Sequence, residues 1–446
     1  ASSKFGENTR WGTFPSYAIA YTFTEEPYMD WARDFLDFGK IRLSYGKSGK
    51  QFEYPYYAFG MLIVNNIPFH GNQTITPYWP DGLMNPKLSW EETKQFDAGL
   101  DLEFFGNRLS LELDYYYRYT DKLLAQVTLP GDYNAYSAQW QNAYAISNQG
   151  IELQIKADLI RSEKLHWDFS FNIARNWDRL EKSNNGMDFT NLASKHNLNI
   201  IGKPLNGIYV YNDEGYYNSQ DEVPLYYVNG RRKYLSSLGN QIYSPGDRRI
   251  QDVDGNGQVA TIIPLLEDRV YGGSPLPLAF GGIASTLKWK GIDVNLLFSY
   301  KLGRHVLNAG RGASVGTILR ANTAEMMVPI LANLDKVSFW QKPGDNTDFP
   351  INELENGKNN FATNLKSNVE KINYLKLKSI SIGYILPVFP KQSKHYARVF
   401  MSVENVFTIT NSSSPDPESI DIVTGVDSNN NYPLATRFTL GLTLNL

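Results

Sequence analysis

Cysteine is absent from the 446 residues. That excludes a disulfide framework, a thiolate metal centre and a cysteine nucleophile. No apolar run approaches the roughly 18 residues of a membrane-spanning helix, so a helical membrane protein is excluded. An excess of one charge is also missing. The 43 Lys and Arg nearly balance 46 Asp and Glu, for a net of −3, and nothing suggests a nucleic-acid groove. Histidine is scarce: His70, His166, His196, His305 and His395 are scattered without metal-ligand spacing. The sequence contains no Ser-His-Asp order, phosphate-cradling loop or zinc pattern. Its first residues, Ala1 to Gly6, carry no charged-then-apolar leader. Either a leader was cleaved just before residue 1, or this chain is not the start of its gene product.

Aromatic residues are plentiful: 29 Tyr, 23 Phe and 9 Trp make 14% of the chain. That excess suits the interfacial girdles of a membrane barrel. It suits a carbohydrate-binding β protein equally well. The mean hydropathy of −0.39 resembles a soluble protein, but barrel strands average an apolar and a polar face together. Periodicity separates the two readings. Phe96, Ala98, Leu100, Leu102 and Phe104 alternate with Gln95, Asp97, Gly99, Asp101 and Glu103. After a break at Gly106-Asn107 the alternation resumes in Leu109, Leu111, Leu113, Tyr115, Tyr117 and Tyr119, with Tyr116 the misfit. A period of two marks strands, and the break fits a tight hairpin. Each arm is about 10 to 15 residues, against about 5 or 6 for an ordinary strand. Strands that long, apolar on one face and charged on the other, fit a wall between lipid and a wet lumen.

The pattern recurs along the chain. Strands are expected at 17–23, 41–45, 96–104, 109–119, 151–159, 165–173, 279–289, 292–300, 375–385, 399–407 and 438–446. A short helical turn is expected around Met29 to Phe35. The phase slips near Ser379, which indicates a bulge. Turns after Phe105, Ile160 and Trp289 are short, whereas other connections run to tens of residues, the longest over 182–275. Short turns on one side and long loops on the other are the habit of an outer-membrane barrel. The fold expected is therefore an all-β, transmembrane antiparallel β-barrel, with about 11 strands in this chain. If the last strand descends to the periplasm, the first does too, and about eleven strands form half a wall. An open edge in lipid costs several kcal/mol per unpaired backbone group, so the other half is expected elsewhere.

With these residues in view, the chain resembles the C-terminal part of the SusC/RagA family of TonB-dependent outer-membrane transporters of Bacteroidetes. The resemblance runs from Ser3-Lys4-Phe5-Gly6 through Phe14-Pro15-Ser16 and Ile41-Arg42-Leu43-Ser44-Tyr45-Gly46-Lys47-Ser48-Gly49. It continues through Asn85-Pro86-Lys87-Leu88-Ser89-Trp90-Glu91, Asp114-Tyr115-Tyr116-Tyr117 and Asn148-Gln149-Gly150-Ile151-Glu152. Pro245-Gly246-Asp247, Tyr374-Leu375-Lys376-Leu377 and Ser402-Val403-Glu404-Asn405-Val406-Phe407 complete it. Each block is short; their order is the specific signal. The resemblance implies a 22-stranded barrel with an N-terminal plug, a SusD-like lipoprotein lid, and TonB-driven import of glycans or peptides. On that reading residues 1–446 are the C-terminal half of the barrel. The plug, the TonB box and the first half are absent from this chain, and its partners are that half, the lipoprotein, TonB and outer-membrane lipid. No enzymatic step is expected. The alternatives are a soluble all-β glycan-binding protein or glycosidase, and a passive porin.

Two groups of candidate site residues follow. Asp252, Asp254, Asn256 and Gln258 place oxygen ligands at every second position with glycines between, as a calcium loop does. An EF-hand carries Glu at its twelfth position, which is Ile263 here, so Asp268 is the expected closing ligand for Ca2+ or Mg2+. The plain alternative is a polar turn, although the family carries a similar Asp-rich loop. Substrate contacts are expected from loop aromatics: Tyr78, Trp79, Tyr133, Tyr136, Trp140, Tyr216 and Tyr217. Asp97, Asp101, Glu112, Asp114 and Arg118 resemble paired catalytic groups, but are expected to hydrogen-bond across a polar lumen wall.

Overall fold

The computed structural model describes residues 1–53, 57, 62–64, 67–69, 73–75, 78–80, 83–129, 138–184, 189–190, 196–228, 230–237, 240–259, 268–310, 338–351, 363–387, 396–428 and 432–445. Among them no helix is long and apolar enough to cross a membrane. One antiparallel path joins β1 (Ser16–Thr22), β2 (Leu36–Lys50), β3 (Glu91–Phe104), β4 (Leu109–Thr128), β5 (Ala138–Arg161) and β6 (Leu165–Lys182). It continues through β7 (Ala279–Trp289), β8 (Ile292–Asn308), β9 (Val369–Leu386), β10 (Tyr396–Thr410) and β11 (Arg437–Asn445). Strand order follows chain order throughout. β1 and β11 are the edges of the path, each paired on one side.

Register turns the alternation of single strands into two faces. Phe96 lies opposite Tyr45 and Tyr117, and Leu100 opposite Ile41 and Leu113. Asp101 lies opposite Lys40 and Glu112 on the other face. A one-residue slip anywhere would exchange the faces, so pairing apolar with apolar fixes the register. The apolar face carries Leu113 at 43% exposure, Ile151 at 45% and Leu440 at 78%. Its breadth across the wall far exceeds the few hundred Å² of apolar patch that water-soluble surfaces tolerate.

The short turns have physical causes. Lys290 and Gly291 both take positive φ (46° and 88°), which closes a two-residue hairpin between Trp289 and Ile292 whose twist matches the strands. Phe105, Gly106 and Asn107 also take positive φ at the turn after β3. The bulge expected near Ser379 lies between Leu377 and Ser379. The expected helical turn is a 3₁₀ segment, Pro27–Ala32. Tyr116, the misfit of the opening hairpin, faces the lumen beside Gly150. Its hydroxyl donates to Asn176 Oδ1 at 2.7 Å, and a Cβ on Gly150 would lie 2.6 Å from its ring. An aromatic laid over a glycine on the neighbouring strand is a recognised way to mend a gap in a sheet.

β4 and β5 are longer than the periodicity indicated. They extend to Thr128 and back to Ala138, into residues expected to be a loop, because both faces of the wall there meet polar surroundings and no alternation is required. The long connection after β6 also has structure of its own. Gly207–Tyr211, buried at every position, pairs with Arg269–Gly273 and with Asn197–Asn199. Tyr211, Tyr217, Tyr243, Ile250, Val259 and Leu365 pack into a core beside it. The conventional cores of the molecule therefore sit in the loop layer, while the wall keeps its apolar side chains outward.

Candidate functional site

The loop layer is held by buried polar groups. Asp247, fully buried, accepts from the Ser244 backbone N–H (2.7 Å) and hydroxyl (2.9 Å), and its predecessor Gly246 turns at φ 90° against Trp340. This turn directs Arg248 into the protein and leaves Arg249 exposed. Arg248 Nη1 meets Asp213 Oδ2 at 3.0 Å, both side chains nearly fully buried, and Asp213 also accepts the Ser367 N–H at 2.9 Å. The Arg248 guanidinium lies 5.5 Å from the centre of the Tyr216 ring. The Tyr216 hydroxyl donates to the Thr347 carbonyl at 3.1 Å, and burial pushes its pKa up.

These residues line a cleft of about 520 Å³, with Arg249, Asn218 and Asn368 also on its wall. An aromatic face, amide groups and an exposed cation suit a ligand rich in hydroxyls, amides or carboxylates. Tyr216 is therefore in a position to touch a ligand. Tyr217, expected in the same role, is instead 1% exposed and packs on Tyr243, because alternate side chains of a strand end point to opposite sides. Burial pushes its hydroxyl up to about 12. Trp140 packs edge-on against Phe52 at 5.2 Å, in a cluster with Phe5 and Leu88. Tyr133 and Tyr136 lie outside the described residues, as do the side chains of Tyr78 and Trp79. The backbone of that pair runs in the short strand Tyr78–Pro80.

The acidic loop converges in part. Carboxylate oxygens of Asp252, Asp254 and Asp268 lie within 4.8 Å of one another, and Asp268 is fully buried. Backbone N–H groups point at them: Gly255 and Gly257 donate to Asp252 (both 2.8 Å), Asn256 to Asp254 (3.0 Å) and Val253 to Asp268 (2.9 Å). Burial first, then Asp252, pushes the adjoining Tyr226 hydroxyl up to about 12. Two expected ligands are turned elsewhere: Asn256 accepts the Gln258 N–H through its side-chain oxygen, and the Gln258 side chain donates to Asn240. Three clustered carboxylates have the oxygen chemistry a hard cation takes, but Ca2+ requires 6 to 8 ligands and would need further oxygens from carbonyls or water.

Four of the five lumen charges pair across strands as expected, and Arg118 lies instead over an aromatic ring of its own strand. Arg42 forms a bidentate bond to Asp101 (2.8 and 2.7 Å) and reaches Asp114 at 2.9 Å. Asp97 accepts from Ser44 at 3.0 Å, Glu112 faces Lys156 at 3.6 Å, and Arg118 stacks on Tyr116 at 5.0 Å. Sequence spacing gave no sign of a knot at the short-turn end of the wall, where Asp158, His166 and Asp168 come within 4.8 Å and His166 Nε2 meets Asp168 at 2.9 Å. His166 and Asp168 share a strand face at i and i+2; Asp158 joins them from the next strand. The signal was cross-strand, which one-dimensional spacing does not carry.

Residues 1–310 match the family model described as TonB dependent receptor-like, beta-barrel. The chain belongs to this family. It is an outer-membrane β-barrel protein. TonB-dependent receptor P3 of Formosa agariphila is 29% identical over 99% of the chain and 43% of its own length. TonB-dependent receptor SusC of Bacteroides thetaiotaomicron is 26% identical over 99% of the chain and 41% of its own length. The structure of the RagAB peptide transporter superposes with a TM-score of 0.74 at 24% identity, over 99% of this chain and 44% of that one. The chain thus spans less than half the length of the curated relatives it matches.

Proposed function

We propose that this chain is the C-terminal half of the barrel of a TonB-dependent importer, which takes up an oligosaccharide or peptide captured with a SusD-like lipoprotein lid. The observation that carries the reading is the two-faced wall of long strands, apolar outside and charged inside, in a chain of this family. Both edges of that wall need a partner strand in lipid, which the N-terminal half of the same transporter supplies, together with the plug and the TonB box. The Tyr216 cleft is the proposed loop contact for substrate. The acidic loop at Asp252, Asp254 and Asp268 is a proposed seat for Ca2+ or Mg2+ that stiffens the same layer. Nothing in this reading asks the chain to break a covalent bond.

The test is purification of the transporter from outer membranes, followed by uptake assays in cells with and without TonB. The expected result is extraction only by detergent, a co-purifying lipoprotein, and uptake that disappears without TonB. Solubility in plain buffer would support a glycan-binding protein instead. Uptake that persists without TonB would support a passive porin.

A further inference from the structure

The wall carries a groove on its outward face, of about 700 Å³, lined by Phe171, Ile173, Tyr300, Leu302, Leu375 and Ile409. Register places all six on the apolar side. Phe171 lies opposite Ile283, Ile173 opposite Gly281, Gly281 opposite Tyr300, and Tyr300 opposite Leu375, which faces Ile409. The dent has a cause. Gly281 occupies an outward position with no side chain, and a Cβ there would lie 2.8 Å from the Tyr300 hydroxyl. That hydroxyl donates to the Asn172 carbonyl at 2.8 Å and lays the ring across the glycine, stacked 5° from the plane of Phe171.

Height matters next. The periplasmic rim is marked by Trp167 and Trp289, beside the hairpin turn. Leu302 is ten residues along β8 from Ile292. A rise of about 3.4 Å per residue and a tilt of about 40° put it roughly 26 Å above the rim, at the top of an apolar band about 25 Å tall. The groove therefore occupies the outer half of the membrane. Its upper end is polar, closed by Asn373, Thr410 and Asn411. Asn373 accepts the Gly303 N–H through its side-chain oxygen at 2.8 Å, so its NH₂ is what it can offer a ligand. Two residues beyond, Lys371 is exposed on the same face and lies opposite His305. The nearby acid, Glu370, alternates to the other face and accepts from Ser413.

We propose that this groove is a lipid site that seats an acyl chain of the phosphorylated glycolipid of the outer leaflet, with Lys371 and Asn373 on its phosphate or amide headgroup. It rests on the barrel reading, but asks for more than annular contact: a slot with one polar, cationic end at headgroup height. The opposite end of the wall has a cleft and cations of its own, Lys164 and Lys290 beside Trp289, so a phosphatidylethanolamine competitor is what separates the two leaflets.

The experiment uses the full-length transporter in mild detergent, with native mass spectrometry after addition of purified lipid A or of phosphatidylethanolamine. The variants are Leu302→Trp, which fills the slot, and Lys371→Glu, which reverses the headgroup charge; heat-modifiable migration on gels checks folding. The expected result is one retained lipid A that tenfold excess phosphatidylethanolamine does not displace, with retention falling at least fivefold in each folded variant. Unchanged retention in a folded Lys371→Glu protein, or equal retention of phosphatidylethanolamine, overturns the proposal. Should Leu302→Trp fail to fold, Lys371→Glu decides alone. A transporter that imports nothing yet retains lipid A would leave the groove standing and the import reading refuted.

Discussion

Lys376 should hold the connection between β10 and β11 against the wall. It points inward from β9 with its side chain 3% exposed, and meets Asp416 Oδ2 at 3.1 Å and Glu418 Oε2 at 3.0 Å. Asp416, itself 6% exposed, accepts the backbone N–H groups of Glu418 (3.0 Å) and Leu434 (3.3 Å), so one lysine organises both ends of 416–434. Lys376→Met keeps the length of the side chain and removes the charge. Breaking a buried pair by deleting one partner costs about 3 to 5 kcal/mol, because the charge left behind is uncompensated. Glu418 is 22% exposed and keeps Lys378 at 2.8 Å, which places the cost at the lower end, about 3 kcal/mol. At about 1.4 kcal/mol per tenfold, the opening of this segment should become roughly 10²-fold more frequent. Hydrogen exchange of the full transporter reads that directly, since locally opening amides exchange at a rate set by the opening equilibrium. The Glu418 and Leu434 amides should exchange roughly 10²-fold faster in Lys376→Met, while amides of β2 to β6 keep their protection. Adding Asp416→Asn should recover part of the loss. Unchanged exchange in the single variant, or equal acceleration across β2 to β6, would refute the reasoning.

Further outcomes follow from the same structure. Asp416 and Asp421 have lowered folded pKa values; backbone N–H groups and Lys376 outweigh burial for Asp416, and the Thr424 N–H leads for Asp421. A depressed folded pKa gives stability that is present above the unfolded value, near 3.9, and lost as pH falls through the folded one. Protection of 416–434 should therefore be flat near pH 7 and fall below about pH 4, measured by exchange rates corrected for intrinsic pH dependence. Gly150→Ala should push the Tyr116 ring off Asn176 and destabilise the wall by about 1 to 2 kcal/mol, seen as a lower transition in heat-modifiable gel migration. Asp268→Asn should abolish calcium-dependent thermal stabilisation of the transporter, and an identical calcium response in that variant would rule out the acidic loop as the seat. Tyr216→Ala should raise the substrate concentration for half-maximal uptake about tenfold, corresponding to the roughly 1 to 1.5 kcal/mol of an aromatic contact.

The wall was legible because its chemistry repeats every second residue, and because lipid outside and water inside enforce the alternation along eleven strands. Where a strand leaves the hydrocarbon, as at 138–150, that enforcement stops and the sequence no longer reveals the strand. The loop layer was illegible for another reason. Asp213, Arg248 and Thr347 meet in one cleft although they lie far apart in the chain, and no local pattern foretells their meeting. Tyr216 and Tyr217 are identical neighbours, yet one lines the cleft and the other lies in the core, because successive side chains point to opposite sides. Asp252 and Asp254 were readable from spacing. Asn256 and Gln258 share that spacing, but their amides serve backbone and neighbour instead, since an amide can donate as well as accept. Lys376 reads in sequence as one more polar lumen position, and its partners lie forty residues on.

These 446 residues carry no cysteine, so once any thiol in the rest of the transporter is replaced, the central claim can be tested with single introduced thiols. Leu113→Cys and Glu112→Cys are adjacent positions on β4, on opposite faces of the wall by register. Each is to be spin-labelled in the full transporter in bilayers and titrated with lipid-soluble oxygen and a water-soluble nickel chelate. The barrel account predicts a label at 113 relaxed by oxygen and shielded from nickel, with the reverse at 112. Nickel access at 113 equal to that at 112 would contradict it.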